Sequence, residues 1–249
     1  MSTGKLYIVA TPIGNLQDIT FRAIETLKNV DFILCEDTRV TKNLLNHYEI
    51  NRPLISYHQH TDERKVKEII GMLEEGKNLA LVTDAGTPGI SDPGGMLIKA
   101  IVASPLFKEG IEGRSRVTEE SRPHPTLPLK REGDIVPIPG ASAVVSALSI
   151  AGFPTDKFVF VGFPPHKNKR QKYFKEVAAA EYTIVFYESG HRIIKCLQEL
   201  KENLDAKRNI VVCRELTKKF ETIYRGTVNQ VIEKMTDERG EFVIVINQK

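Results

Sequence analysis

The stretch at 79–95, LALVTDAGTPGISDPGG, constrains the chain more than any other. An uncharged run, 79–83, ends in Asp84 and gives way to Gly86, Pro88, Gly89, Pro93 and two closing glycines. A buried strand of an open α/β sheet opens into a ligand loop in this way, at its C-terminal end. Gly86 and Gly89 admit a positive φ or a close backbone approach, the prolines stiffen the loop, and Asp84 and Asp92 are acceptors for an amine or a hydroxyl. A tight turn capped by two aspartates is the simpler alternative. So many conformationally special residues after one strand favour a binding loop. The stretch contains neither GxxxxGK[ST] nor GxGxxG, which excludes a P-loop and the dinucleotide fingerprint.

Asp84-Ala85-Gly86-Thr87 resembles the phosphate loop of actin-like and sugar kinases. That loop turns into a second strand, whereas here Gly94-Gly95 leads into MLIKAIVA, a helical segment. A chain of 249 residues, 41% hydrophobic and 27% charged, has the length and composition of one large or two modest globular domains. Its three cysteines, Cys35, Cys196 and Cys213, are odd in number and widely spaced, which indicates neither a disulfide framework nor a CxxC metal site and fits a reducing cytoplasm. The N-terminus lacks a basic segment followed by a long apolar one, so no signal peptide is expected. The uncharged run 135–153 is divided by Pro137 and Pro139-Gly140 into a short strand and a helix, each too short to cross a bilayer. The net charge of +3 is uneven. Residues 1–152 hold 17 Lys and Arg against 19 Asp and Glu, and residues 153–249 hold 18 against 13, so the second part is the candidate for meeting a polyanion.

The first unit, 1–152, reads as strands at 5–10, 30–35, 54–57, 79–83 and 135–138, with helices at 22–28, 62–75, 96–103 and 143–151. This alternation calls for a parallel, doubly wound sheet. The strand at 5–10 breaks at Thr11-Pro12-Ile13-Gly14-Asn15, a second loop on the edge that carries Asp84 if the strands are parallel. Thr20 is an expected N-cap. Glu36-Asp37-Thr38-Arg39 follows the second strand as either a helix-capping ion pair or a site. His58 and His60 form an HxH pair, but without a carboxylate or cysteine partner at a known spacing no metal is expected. Pro139-Gly140-Ala141-Ser142-Ala143 makes a third loop.

The pattern breaks at 103–133. Four prolines, three glycines, six basic and five acidic residues without amphipathic period predict a disordered surface insertion, and 105–110 (PLFKEG) is echoed by 128–133 (PLKREG). An RNA-binding arm is the alternative. The second unit, 153–249, reads as strands at 158–163, 183–188, 209–214 and 241–246 with helices at 171–180, 192–204 and 228–235. The cluster His166-Lys167-Asn168-Lys169-Arg170-Gln171-Lys172 is either a solvated face or a phosphate contact, in company with Arg192, Arg214, Lys218 and Lys219.

Taken together, Ala10-Thr11-Pro12-Ile13-Gly14-Asn15, Glu36-Asp37-Thr38-Arg39, the Asp84–Pro88 and Ile90–Gly94 phrases, Pro139-Gly140-Ala141-Ser142-Ala143, Phe186-Tyr187-Glu188-Ser189 and Cys213-Arg214-Glu215-Leu216-Thr217-Lys218 make the chain similar to the bacterial small-subunit (16S) ribosomal RNA cytidine 2'-O-methyltransferases of the tetrapyrrole methylase superfamily. The match covers nearly everything except 103–133. It implies an α/β, two-domain tetrapyrrole-methylase-like fold, each domain a mostly parallel or mixed sheet flanked by helices, with S-adenosylmethionine in the cleft between them and no metal. It also implies a homodimer whose partner is 16S rRNA or the small ribosomal subunit. By the resemblance, Pro12, Ile13, Gly14, Asp84, Gly86, Thr87, Pro88, Ile90, Ser91, Ser142 and Ala143 line the cofactor site, and Tyr187 contributes from the second domain. The sulfonium already activates the methyl group, so the protein aligns a ribose hydroxyl and helps remove its proton. Asp37 or Glu36, with Glu188 behind them, are the candidates for proton removal; Arg39, Lys167, Lys169, Arg170, Arg192 and Arg214 are the candidates for RNA phosphates.

Three departures stand out. The family's usual FYESPHR is FYESGHR here, so Gly190 is expected to loosen its loop. Gly89 stands where a larger apolar residue is usual, and the chain ends at Lys249 without the C-terminal extension, and its RNA contacts, that some members carry. A corrin-type tetrapyrrole methyltransferase shares fold and cofactor but has no need of a phosphate-binding cluster. A catalytically decayed RNA-binding protein is the third reading, and the intact loops oppose it.

Overall fold

The computed structural model describes residues 3–59, 61–104 and 135–249. The expected insertion from residue 105 onward, with its internal echo, and His60 of the HxH pair lie outside the described residues. The chain separates into two compact units, Met1–Pro12 with Leu16–Ala141, and Ile13–Asn15 with Ser142–Lys249.

The first unit is built on five strands, β1 (Leu6–Val9), β2 (Phe32–Cys35), β3 (Leu54–Ser56), β4 (Leu79–Leu81) and β5 (Ile135–Ile138), in the order β3-β2-β4-β1-β5 and parallel throughout. Leu6 faces Leu79 on one side and Ile135 on the other, so β1 lies between β4 and β5. Side chains alternate across the sheet. Ala80 joins Val9, Ile33, Ala23, Leu27 and Leu45 under α1 (Phe21–Asn29) and α2 (Thr38–His47), while Leu79 and Leu81 join Leu34, Ile69, Leu73, Leu97 and Ile101 under α3 (Glu63–Glu74) and α4 (Gly95–Ala103). The sheet is covered on both faces, as a fully parallel sheet requires. Local chemistry sets the helix starts: Thr20 Oγ1 accepts from the Ala23 amide (3.1 Å), and Asp62 Oδ1 accepts from the Lys65 amide (2.9 Å).

The second unit holds β6 (Phe158–Phe160), β7 (Thr183–Ser189), β8 (Asn209–Arg214), β9 (Thr222–Thr227) and β10 (Glu241–Ile246) in the order β6-β7-β10-β8-β9. β6 and β7 are parallel and the other pairings antiparallel, so this sheet is mixed. Helix α5 (Ala143–Ala151) precedes these strands in the chain. Phe174, Phe186, Ile193, Leu197, Val231, Phe242 and Ile244 form the unit's core beneath α6 (Arg170–Ala179), α7 (Gly190–Asn203) and α8 (Val228–Lys234). The edge strand β9 is absent from the sequence reading. Among its residues only Tyr224 is buried, and Arg225-Gly226 interrupts the apolar alternation that marks a strand. Among the described residues no helix is long and apolar enough to cross a membrane.

The expected boundary at 152 is corrected by the packing. Helix α5 packs against β10 and β7 and belongs to the second unit, so the change-over falls between Ala141 and Ser142. Ile13–Asn15 also group with the second unit, where the Asn15 amide donates to Thr217 Oγ1 (3.2 Å).

Gly190 proves to be fixed rather than loose. It is the first residue of α7, its amide donates to the Gly240 carbonyl (2.9 Å), and a Cβ on it would lie 2.4 Å from the Glu238 carbonyl oxygen and 3.0 Å from the Gly240 amide nitrogen. Proline is ordinarily well tolerated at the first helical position. Here Gly190→Pro, which restores the family's usual motif, should instead lower unfolding free energy by about 1–3 kcal/mol, through a lost hydrogen bond and a steric clash. Chemical denaturation of the variant beside the parent checks this.

Candidate functional site

A parallel sheet places all its strand C-termini on one edge, and in the first unit the loops leaving β1, β4, β5 and β2 meet there. Thr11, just beyond β1, exchanges backbone hydrogen bonds with Gly86 beyond β4 (2.8 and 3.2 Å), and its Oγ1 donates to the Thr83 carbonyl (3.0 Å). The β5 loop joins through Thr87 Oγ1, which donates to the Ala141 carbonyl (3.4 Å), and through Gly140, where a Cβ would come within 3.0 Å of Ala10 Cβ. The β2 loop joins through the Asp37 amide, which donates to Asp84 Oδ1 (3.2 Å). Gly86 and Gly89 have φ of 87° and 83°, so the backbone of the 84–94 loop uses the freedom that glycine provides, and at Gly89 an apolar side chain would be strained even though the space is open. Ser91 also takes a left-handed conformation, φ 61°.

Of the expected cofactor residues, Pro12, Asp84, Gly86, Thr87, Pro88, Ile90 and Ser91 thus belong to this one edge. Ile13 and Gly14 belong instead to the second unit, against Leu216, Thr217 and Lys218. Thr11 and Thr83 were not among the expected cofactor residues, although Thr11 opens the expected second loop. Thr11 is the bridging residue of the first loop, and Thr83 Oγ1 is buried without a hydrogen-bond partner among the described residues. Thr11 directly follows the strand expected at 5–10, whereas Thr83 closes the strand expected at 79–83 and carried no such signal.

The acids at this edge divide by environment. Asp37 is the N-cap of α2: its carboxylate accepts from the Arg39 amide (2.8 Å), Nε (3.1 Å) and Nη2 (2.7 Å). These hydrogen bonds hold it down to a pKa of about 2, and Arg39, itself exposed, is committed to the same carboxylate. Glu36 and Asp84 are pushed the other way. Desolvation by the surrounding loops is the main cause for both; Asp84 and Asp37 add repulsion at Glu36, which His58 partly offsets. Two carboxyls of raised pKa at adjacent strand ends, next to an orphaned buried hydroxyl, are donor-set chemistry suited to a ligand bearing amino and hydroxyl groups. Among the described residues no group of three or more His, Cys, Asp or Glu is arranged to hold a metal ion.

In the second unit, β7 carries Tyr187 and Glu188 to opposite sides. Tyr187 packs edge-on to Phe160 (ring centroids 5.0 Å apart) and tilted against Phe163 (5.3 Å). Glu188, 1% exposed, accepts from Arg192 Nη2 (2.6 Å) and the Ser189 amide (2.8 Å), with Arg170 Nη2 3.5 Å away. Arg170, 4% exposed, also pairs with Glu199 (2.7 Å) and donates to the Pro165 carbonyl (3.0 Å), while Arg192 Nη1 donates to the Pro164 carbonyl (3.4 Å). Glu188 therefore anchors two inward-turned arginines, which in turn hold the root of the basic loop; it touches no open surface from which to take a proton. Arg214 is likewise buried, bound to the Arg239 and Phe220 carbonyls and to Asp237. Arg170 and Arg214 are structural cations in this fold, whereas Lys167 and Lys169 are exposed on the loop between β6 and α6. Ser142 is the N-cap of α5 without a side-chain capping bond, and Ala143 is that helix's first residue.

A doubly wound parallel unit with its loops knitted at one edge, followed by a mixed-sheet unit, defines a class of two-unit α/β enzymes that bind a small ligand at strand C-termini. The model of the tetrapyrrole (corrin/porphyrin) methylases matches residues 5–106 and 126–232. The chain is 43% identical over 246 residues to the ribosomal RNA small subunit methyltransferase I of Synechocystis, covering 98% of this chain and 78% of that protein. To the protein of the same name from Thermotoga maritima it is 40% identical over 248 residues, 99% of each. Among solved structures, uroporphyrin-III C-methyl transferase from Thermus thermophilus, complexed with S-adenyl homocysteine, superposes with a TM-score of 0.59 at 15% identity over 98% of this chain and 97% of that one. The chain belongs to the tetrapyrrole methylase family. It is a methyltransferase, and S-adenosylmethionine is its methyl donor.

Two outcomes follow from these environments. Removing the charge of Glu188 takes from the half-buried Arg192 its carboxylate and from the buried Arg170 one of its two, so Glu188→Gln should cost about 3 kcal/mol of unfolding free energy, measured by denaturant titration. At Glu36 the sign reverses. Because its folded-state pKa is raised, the ionised form costs stability at neutral pH, so Glu36→Gln should raise the melting temperature at pH 7, and the difference should vanish once the pH falls below the ordinary carboxylate range. Thermal unfolding of both proteins from pH 3 to 7 checks it.

Proposed function

We propose that the chain transfers a methyl group from S-adenosylmethionine to the 2'-oxygen of a cytidine in the 16S RNA of the small ribosomal subunit. The substrate class is supported by the name its relatives carry. The observation that supports the chemistry is the pair of partly desolvated carboxyls, Glu36 and Asp84, on adjoining strand ends beside the Gly86–Gly89 loop. When bound, the donor supplies a methyl group already activated on its sulfonium. The chain's own residues then have three tasks: to hold the donor, to hold the hydroxyl in line, and to accept its proton.

Pro12, Gly86, Thr87, Ile90 and Ser91, with the Thr83 hydroxyl that has no partner among the described residues, are the holding residues at the edge of the first unit's sheet. For proton removal, Glu36 takes precedence over Asp37. A carboxylate held near pKa 2 by Arg39 is a poor base, whereas one whose pKa is raised accepts a proton more readily. Exposed Lys167 and Lys169 are the residues for phosphate contact, and Arg192 keeps their loop in place. By the same resemblance the protein acts as a homodimer, and its three widely spaced cysteines fit a reducing cytoplasm.

Radiolabelled S-adenosylmethionine supplied with small subunits lacking the modification, with naked 16S rRNA and a corrin precursor alongside, tests the reading. Label is expected at a ribose 2'-oxygen of the rRNA, with Glu36→Gln lowering kcat at least tenfold while donor binding persists. Label in the corrin precursor alone would replace the proposal with the tetrapyrrole reading, and label in neither, with donor still bound, would mean a decayed enzyme.

A further inference from the structure

The C-terminal ends of β6, β7 and β8 share one edge of the second sheet, because β7 runs parallel to β6 and both β7 and β8 run antiparallel to β10. The basic loop bearing Lys167 and Lys169 leaves β6 at this edge, and the loop 215–221 leaves β8. Three strand spacings separate them, roughly 14 Å.

The 215–221 loop is tightly built. Glu215 and Thr217 both take left-handed conformations (φ 51° and 65°), the Lys218 amide donates to the Glu215 carbonyl (3.0 Å), the Glu221 amide to the Lys218 carbonyl (3.1 Å) and the Thr217 amide to Glu221 Oε2 (2.6 Å). Left-handed conformations at residues other than glycine are strained and concentrate at functional sites. Buried Arg214 fixes the Phe220 backbone by donating from Nη1 to its carbonyl (3.1 Å), and Thr222 Oγ1 donates to the same oxygen (3.2 Å). All this structure presents the Phe220 side chain to solvent, 65% exposed, with Lys219 Nζ 5.5 Å from the ring centroid. Lys219 and Glu221, its neighbours in the chain, are exposed and polar, the reverse of the apolar surroundings of a protein–protein interface core.

We infer that Phe220 is a stacking platform for an unpaired nucleobase of the RNA substrate, with Lys219 beside it and Lys167 and Lys169 along the same sheet edge taking backbone phosphates. Rigid aromatic rings combined with lysines that track the backbone are how proteins hold single-stranded nucleic acid, and stacking is worth about 1–3 kcal/mol per base, or roughly five- to 150-fold in affinity. The assignment rests on the rRNA substrate proposed above and adds to it a base-contacting residue distant in sequence from every methyl-donor loop.

The sequence contains no tryptophan, so Phe220→Trp gives a protein with a single indole reporter at this position. Phe21, 93% exposed at the start of α1 in the first unit, gives the control Phe21→Trp. Titration with 16S rRNA transcript should saturably quench the indole fluorescence of the Phe220→Trp protein and leave that of the Phe21→Trp protein nearly unchanged. On small subunits, Phe220→Ala should raise KM for the subunit about tenfold, with kcat and the KM for S-adenosylmethionine within twofold, as the loss of one stacked base predicts, and Phe220→Trp should retain the parent's KM; melting temperatures confirm that all variants fold. An unaltered subunit KM in Phe220→Ala, equal quenching of the two indole reporters, or a change in sedimentation showing that the ring covers a second copy would each overturn the assignment while rRNA methylation stands. If the parent labels no rRNA, both fall together.

Discussion

The constraint on which the first unit depends is the position of β1 between β4 and β5 in a sheet with no antiparallel strand. Once Leu6 is in register with both Leu79 and Ile135, the loops after these strands emerge side by side, although they are far apart in the chain. The reciprocal Thr11–Gly86 hydrogen bonds and the close approach of Gly140 to Ala10 then turn three separate loops into one surface. The β2 loop is drawn in by a single backbone donor, the Asp37 amide on Asp84. That bond brings the carboxyls of Glu36, Asp37 and Asp84 close enough to influence one another; Arg39 keeps Asp37 an easily ionised cap, while desolvation by the surrounding loops pushes Glu36 and Asp84 toward holding a proton.

In the second unit the comparable decision concerns arginines. The chain contains more Lys and Arg than Asp and Glu, but several of the cations face inward. Arg170, Arg192 and Arg214 bind carbonyls at loop roots, and buried Glu188 keeps the first two from being uncompensated charges. A buried pair of this kind adds little net stability over an apolar packing, yet is costly to break, and so it fixes loop geometry. Through Pro164 and Pro165, Arg170 and Arg192 hold the root of the loop on which Lys167 and Lys169 are exposed.

Much of this was legible beforehand. The strands at 135–138, 209–214 and 241–246 and the helix at 143–151 stand where apolar runs bounded by Pro, Gly and polar residues put them, and Thr20 caps its helix as expected, while Asp62, expected as the first helical residue, is the cap of α3. The loop phrases marked the ligand edge because glycine and proline are dense there for a backbone reason that the positive φ values of Gly86 and Gly89 display. Less legible were β9, an edge strand held by pairing rather than by its own alternation, and the change-over at Ala141, since an apolar helix such as α5 does not announce which sheet it will cover. The fixed place of Gly190 is illegible in the sequence for a similar reason. Its role is set by the carbonyls of Glu238 and Gly240, which arrive from the far end of the unit.

The sequence by itself determined the alternating α/β plan, the Thr20 helix cap and the composition of the loops at the first sheet's edge, because each follows from side-chain chemistry within a few residues. The tertiary structure alone decided which carboxyls are poised to take a proton, which arginines are spent on the interior and where an aromatic ring is held out to solvent. Those properties depend on burial and on partners far away in the chain, and no local pattern encodes either.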